Sequence, residues 1–207
     1  MNRDADFQCV LILLLTDKAT LRRQLLRTRK SLSVAQWQEK SDRICTHLQA
    51  LPLLRQAKTV LGYLSARQEP GLEPLFAAVN CHWGLPRCVG SSLQWHLWQV
   101  GDPLESGAFG ISEPTSTAAQ ISARAVDLIL LPAVACDRNG YRLGYGGGFY
   151  DRLLSLPEWQ AKPTIGIVFD FAYLPNLPID PWDKKLDGIC TESGFKAVST
   201  SKFHENH

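Results

Sequence analysis

The 207-residue sequence predicts one α/β domain: a mainly parallel sheet flanked by helices, with a glycine-rich loop at the carboxyl end of a strand. Three observations predict it. Short β-rich apolar runs at 59–64, 127–131 and 164–169 alternate with segments whose apolar residues recur at helical spacing. A chain of 207 residues suits one domain and can bury a core without metal or disulfide staples. With 45% apolar and 20% charged residues and a net charge of +2, it has neither an acidic tail nor the basic excess of a nucleic-acid binder.

The elements follow in order. Residues 1–15 read as an extra segment, a strand or an upstream extension. Their apolar run at 9–15 is too short to span a bilayer, which takes about 20 residues. No small-residue cleavage site follows it, since Thr16, Asp17 and Lys18 come next. Asp17 is a good N-cap for a helix reaching Lys30, with Leu21, Leu25 and Leu32 along one stripe. Ser33 and Gln36 form a capping-box pattern for a second helix carrying Trp37, Ile44, Leu48 and Leu51, ended by Pro52. A strand at 59–64, a helix at 73–80 closed by Gly84, and a strand or hairpin at 88–100 come next. A connector at 101–117 leads to the strand at 127–131, which Pro132 terminates. The glycine loop, a helix at 149–156 and a strand at 164–169 complete the pattern. The domain is placed at 16–195, with 196–207 as a flexible tail.

The six cysteines (Cys9, Cys45, Cys81, Cys88, Cys136 and Cys190) show neither CxxC nor Cys/His metal spacing. They read as reduced, mostly buried thiols of a cytoplasmic protein.

The most informative stretch is 137–152. Four glycines in five positions, Gly144, Gly146, Gly147 and Gly148, permit positive φ and leave main-chain N–H groups able to wrap an anion. Arg142 stands close enough to add a bidentate contact to a phosphate. No Gly-Lys-Ser/Thr closes the loop, and Phe149 stands where a dinucleotide fingerprint needs its third glycine. The bland alternative is a tight turn. Asp151, in the first turn of the next helix, is either a helix-dipole acid or a Mg²⁺ ligand beside phosphates. Asp183 and Asp187 each offer a second carboxylate, or are ordinary loop acids. Lys18 and Arg22 lie four apart on one helical face, as a hydrated surface or as a cationic arm. The other bases of that helix, Arg23, Arg27, Arg29 and Lys30, read as solvated. Glu69 is a loop glutamate able to point into the same cleft. No catalytic triad pattern appears.

Residues 131–152 closely resemble the signature of the 5-formyltetrahydrofolate cyclo-ligase family, also called methenyltetrahydrofolate synthetases. Residues 18–22, 63–69, 109–114 and 183–192 resemble further blocks of that family, in its order. The resemblance implies ATP- and Mg²⁺-dependent cyclisation of 5-formyltetrahydrofolate to 5,10-methenyltetrahydrofolate, with release of ADP and phosphate. It implies ATP contacts from Lys18, Arg22, Arg142, Gly144, Gly146, Gly147, Gly148 and Tyr150, with Lys18 and Arg142 catalytic. It implies Mg²⁺ on Asp151 and Asp183, with Asp187 as the alternative to the latter. It implies substrate contacts from Leu64, Glu69, Tyr145 and Phe149, and Trp95 or Trp98 is expected to extend that wall. The expected partners are the folate and ATP alone, with no nucleic acid or membrane, in a monomer. The competing expectations are a nucleotide- or folate-binding regulatory module without turnover, and an RNA-associated protein using the basic first helix.

Overall fold

The computed structural model describes residues 17–198. The segment 1–15 and the tail from 199 onward lie outside the described residues.

Helix α1 (Lys18–Lys30) begins where the Asp17 carboxylate accepts hydrogen bonds from the Ala19 and Thr20 amides. Helix α2 (Val34–Gln49) opens with the full Ser33/Gln36 capping box. Pro52 does not end it. It starts a separate helix α3 (Pro52–Gln56), in the first turn, where its missing N–H has no helical partner to lose. Strand β1 (Thr59–Leu61) stops sooner than the apolar run predicts, and α4 (Glu73–Ala78) follows. Strands β2 (His82–Val89) and β3 (Ser92–Trp98) form an antiparallel hairpin. Gly84 lies within β2 rather than closing a helix; a Cβ there would sit 2.4 Å from Leu61 Cδ2. The connector holds a second hairpin, β4 (Leu104–Ser106) and β5 (Ser112–Pro114).

Strand β6 (Leu128–Pro132) leads into β7 (Ala135–Asp137) and β8 (Arg142–Leu143). Helix α5 (Phe149–Leu153) ends sooner than the helix predicted at 149–156, and a separate helix α6 (Pro157–Gln160) follows. Strands β9 (Thr164–Ile167), β10 (Tyr173–Leu174), β11 (Gly188–Thr191) and β12 (Gly194–Ala197) complete the chain. Lys196 and Ala197, assigned to the tail by sequence, pair with Ile189 and Gly188.

The main sheet runs β12-β11-β9-β6-β1-β2-β3. Its four inner pairings are parallel and only the outermost pair on each side is antiparallel. Along β6, Leu128 and Leu130 face a core shared with Ile44 and Leu48 of α2 and Leu54 of α3. Ile129 and Leu131 face the opposite core, with Leu21 and Leu25 of α1 and Trp159 of α6. This is the period-two alternation of a strand covered on both sides. Each fully buried leucine or isoleucine contributes about 1.5–3 kcal/mol. No described helix is long and apolar enough to cross a membrane.

The five described cysteines are free thiols. Burial pushes Cys81 and Cys88 up to about 11 and Cys45, Cys136 and Cys190 up to about 12, so none is a nucleophilic thiolate at neutral pH. Cys9 lies outside the described residues.

Candidate functional site

Strands β1 and β6 run parallel and end at Leu61 and Pro132. Just past those ends, Tyr63, Leu64 and Pro132 line a cavity of about 570 Å³. Open α/β sheets bind ligands beyond the carboxyl ends of their strands.

The glycine loop does not leave the main-sheet strand directly, as the sequence pattern suggests. The β7–β8 hairpin, part of a small sheet ordered β10-β7-β8, intervenes and returns the chain to the cavity. Asp137 shapes that return. Its buried carboxylate accepts from the Asn139 and Tyr141 amides, each at 2.9 Å, and from the Leu177 amide at 3.0 Å. Gly140 completes the turn at φ 89°, where a Cβ would lie 2.7 Å from the Leu186 carbonyl oxygen.

Among the described residues, no main-chain N–H of Gly144 to Gly148 donates a hydrogen bond within the protein. The carbonyls are held: Arg22 Nε donates to Gly144 O at 2.7 Å and Arg152 Nη2 to Gly147 O at 2.9 Å. Gly146 and Gly148 adopt φ of 104° and 66°, a region that favours glycine. The loop therefore keeps a run of unused amide donors on the cavity wall.

Among the cations that border it are the three predicted ones. Lys18 Nζ pairs with Asp180 at 2.7 Å and also with Asp183. Partial burial alone would lower its pKa, but those two carboxylates outweigh that and raise it. Arg22 lines the same wall, so the spacing of Lys18 and Arg22 did bring both to one face. Arg142, on β8, is only 7% exposed; its Nη2 lies 2.9 Å from Asp151 Oδ1 while Nε has no hydrogen-bond partner. Its guanidinium lies over the Tyr150 ring at 5.3 Å. A buried cation with unmade hydrogen bonds is costly, which marks Arg142 as a donor lacking its acceptor.

Glu69 lines the same cavity and is 4% exposed. Its carboxylate accepts from the Ala66 amide at 3.1 Å, and its carbonyl accepts from Trp37 Nε1 and Ser65 Oγ, both at 2.7 Å. The turn that delivers it puts Arg67 and Gln68 at φ 51° and 58°, a strained pair for residues with side chains. Burial raises the Glu69 pKa, against the opposing pull of the Ala66 amide, Arg29, Tyr145 and Arg67. Leu64, Tyr145 and Phe149 line the cavity as well, with Phe149 edge-on to Phe109 at 6.0 Å.

Residues 15–192 match the 5-formyltetrahydrofolate cyclo-ligase family. The chain belongs to that family. Curated 5-formyltetrahydrofolate cyclo-ligases resemble this family member along most of its length. The one from Haemophilus influenzae is 31% identical over 82% of this chain and 97% of its own. The one from Mycolicibacterium smegmatis is 32% identical over 84% of this chain and 93% of its own. The solved structure of Aquifex aeolicus 5,10-methenyltetrahydrofolate synthetase superposes with a TM-score of 0.79 at 32% identity, covering 92% of this chain and 99% of that one.

In this cyclo-ligase family member the predicted residues gather well, with three corrections. Asp187 is not at the cavity. It is buried at the opposite end of the sheet, where Oδ2 accepts from the Thr164 amide at 3.0 Å and hydroxyl at 2.8 Å, at the start of β9. Trp95 and Trp98 belong to the core: Trp95 packs on Tyr150 and Trp159, Trp98 on Phe76. Beside Tyr145, the exposed aromatics at the cavity are Trp182 and Phe109 instead. Arg29 is not solvated but 3% exposed, donating to Tyr145 Oη and Ala133 O. Asp151 and Asp183 both line the cavity, but each faces a cation, and the described residues contain no cluster of three metal-ligating side chains.

Sequence reasoning passed over Asp180, Arg67, Phe109 and Trp182 as cavity residues. For Phe109 the signal was present, since it opens the block at 109–114. Asp180 meets Lys18 across 162 positions, a pairing that no local pattern encodes.

Proposed function

We propose that this chain catalyses the ATP- and Mg²⁺-dependent cyclisation of 5-formyltetrahydrofolate to 5,10-methenyltetrahydrofolate, releasing ADP and phosphate. One observation carries the reading within the family: unused loop amides and the cations Lys18, Arg22 and Arg142 share a single cavity with the buried carboxylate of Glu69.

In this reading the loop from Gly144 to Tyr150 cradles the triphosphate by its main-chain amides. The formyl oxygen attacks the γ-phosphorus, ADP departs, and an N5-iminium phosphate forms. N10 then attacks the iminium carbon and phosphate leaves with the former formyl oxygen. Lys18 and Arg142 stabilise charge on the transferring phosphoryl group; removing one such preorganised donor costs about 10²–10³ in rate. Glu69 accepts hydrogen bonds from the polar edge of the pterin, while Leu64, Tyr145 and Phe149 hold its faces. No protein nucleophile is required. Cys88, the thiol on the cavity wall, is a neutral group with its pKa near 11.

The acids fit a magnesium ion. Asp151 and Asp183 are hard oxygen donors on one cavity, and Mg²⁺ is typically held by one or two carboxylates together with phosphate oxygens. Asp151 and Asp183 would hold it, and the ion would supply neutralisation of phosphate charge. Five free thiols support a reducing, cytoplasmic setting.

The test is the near-ultraviolet absorbance of the methenyl product, followed with the purified chain, 5-formyltetrahydrofolate and Mg²⁺, with and without ATP. ATP-dependent product is expected. Binding of both substrates without product would assign a regulatory binding module instead.

A further inference from the structure

Behind the cavity wall lies a charged side chain to which the proposed reaction gives no task. Arg29, in the last turn of α1, is 3% exposed. Its Nη1 donates to Ala133 O at 3.4 Å, its Nη2 donates to the Tyr145 hydroxyl, and its Nε has no hydrogen-bond partner. Burying a guanidinium with so few acceptors is costly, and apolar side chains fill such positions more stably.

The environment of Tyr145 gives Arg29 a purpose. Tyr145 stands between Gly144 and Gly146, which supply no side chains to restrain it. Two guanidinium groups lie against its ring, Arg29 at 5.5 Å and Arg67 at 5.1 Å. Arg67 belongs to the strained turn that delivers Glu69, and the phenol itself interacts with the Glu69 carboxyl. One tyrosine thus joins three segments: α1 through Arg29, the glycine loop that carries it, and the Glu69 turn.

We propose that Arg29 is a positioning residue: by gripping the Tyr145 phenol from behind, it fixes the glycine loop against the Glu69 turn, so that folate and nucleotide are held in one register. This rests on the cyclo-ligase reading above. Misplacement by about 1 Å between reacting groups can cost roughly 100-fold in rate. The loop's grip on phosphates has its own anchors in Arg22 and Arg152, so the folate end depends on Arg29 more than the ATP end does.

A second signature follows from charge. Glu69 faces the Ala66 amide and Arg67 on its own turn, Arg29 on α1 and Tyr145 on the glycine loop, with the buried Tyr63 and Tyr150 phenols also coupled to it. Removing the Arg29 cation deprives the buried carboxylate of a stabilising charge and drives its pKa further up.

The experiment uses the full chain carrying Arg29→Met, Arg29→Lys, Tyr145→Phe, and Arg29→Met combined with Tyr145→Phe. Arg29→Met is expected to lower kcat/KM for the folate roughly 10–100-fold, with the KM for ATP changing far less. The acid limb of that profile moves to higher pH in Arg29→Met and returns in Arg29→Lys, which keeps the charge. The double variant is expected to lose less than the sum of the two single losses, because both changes break the Arg29–Tyr145 contact. Equal KM increases for both substrates, additive losses in the double variant, or an unmoved acid limb would overturn the proposal. Should Arg29→Met fail to fold, Tyr145→Phe, at a partly exposed site, must reproduce the folate-specific loss; wild-type kinetics there overturn it. An inactive parent chain would instead bring down the cyclo-ligase reading.

Discussion

The two ends of the parallel sheet use the same residue type in opposite ways. At the end where the strands begin, Asp127 accepts from the Lys58 and Thr59 amides at 2.8 and 3.0 Å, and Asp187 accepts from the Thr164 amide and hydroxyl. These carboxylates fasten strand starts. At the end where the strands finish, Asp151 and Asp183 meet Arg142 and Lys18, and the neighbouring loop keeps unused amides. A carboxylate held by backbone N–H groups cannot exchange them without unfolding the strand start. One held by a cationic side chain, as Asp151 is by Arg142, can exchange it for a ligand; Asp183 combines the two, since its Oδ2 also accepts from the Asp180 amide at 2.8 Å. The difference separates scaffold from site more sharply than exposure does, since Asp187 and Arg142 are both almost fully buried.

The largest expected effect comes from Arg142→Met. If that cation serves the transition state, kcat/KM falls about 10²–10³-fold while the unfolding temperature changes little, measured by steady-state kinetics beside thermal unfolding. Loss of stability with activity per folded molecule retained would erase the distinction between the two ends. Asp187→Ala is the mirror experiment. It leaves the Thr164 amide and hydroxyl buried without their acceptor and is expected to cost about 1–3 kcal/mol of stability. The loss should appear as a lower denaturant midpoint at unchanged slope, with normal turnover in the folded fraction.

Smaller effects sharpen the contrast. Gly146→Ala meets no clash, its Cβ lying 3.8 Å from Arg22, so only the φ of 104° is penalised. A cost of about 1–2 kcal/mol for a side chain in that region should appear as a raised KM for ATP, with folate KM nearly constant.

The smallest effect concerns Glu69, whose pKa burial raises above its usual value of 4.5. A carboxyl with a raised folded pKa favours the folded state below its unfolded pKa and loses that contribution as pH rises through the folded pKa. Glu69→Gln should therefore be more thermostable than the parent at neutral pH, with the gap closing below 4.5. Thermal unfolding across that range checks it, and the same variant should use folate poorly.

Much of this was legible in the chain. The caps at Asp17 and Ser33 are local hydrogen-bond patterns, and both helices start where those residues stand. The glycine spacing at 144–148 announced a loop with exposed amides. Lys18 and Arg22 at four-residue spacing had to share a helix face. The failures also have physical reasons. Pro52 is as compatible with a helix start as with a helix end, and only the turn at Ala50 decides between them. The short strands β10, β11 and β12 carry too few residues to show a period. Asp183 and Asp187 were indistinguishable by sequence. What separates them is the reach of Lys18 to the former and of Thr164 to the latter, both long-range contacts.

The sequence by itself determined where the first two helices start and that β1, β6 and β9 are buried strands, because capping, periodicity and apolar runs act within a few residues of one another. It also determined that a glycine-bearing loop stands between a strand and a helix. Tertiary structure alone decided which acids meet cations, that Arg29 turns inward to hold Tyr145, and that Trp182 rather than Trp95 borders the cavity. Those outcomes depend on contacts between segments far apart in the chain, set by how helices and loops pack around the sheet. No local pattern carries that information.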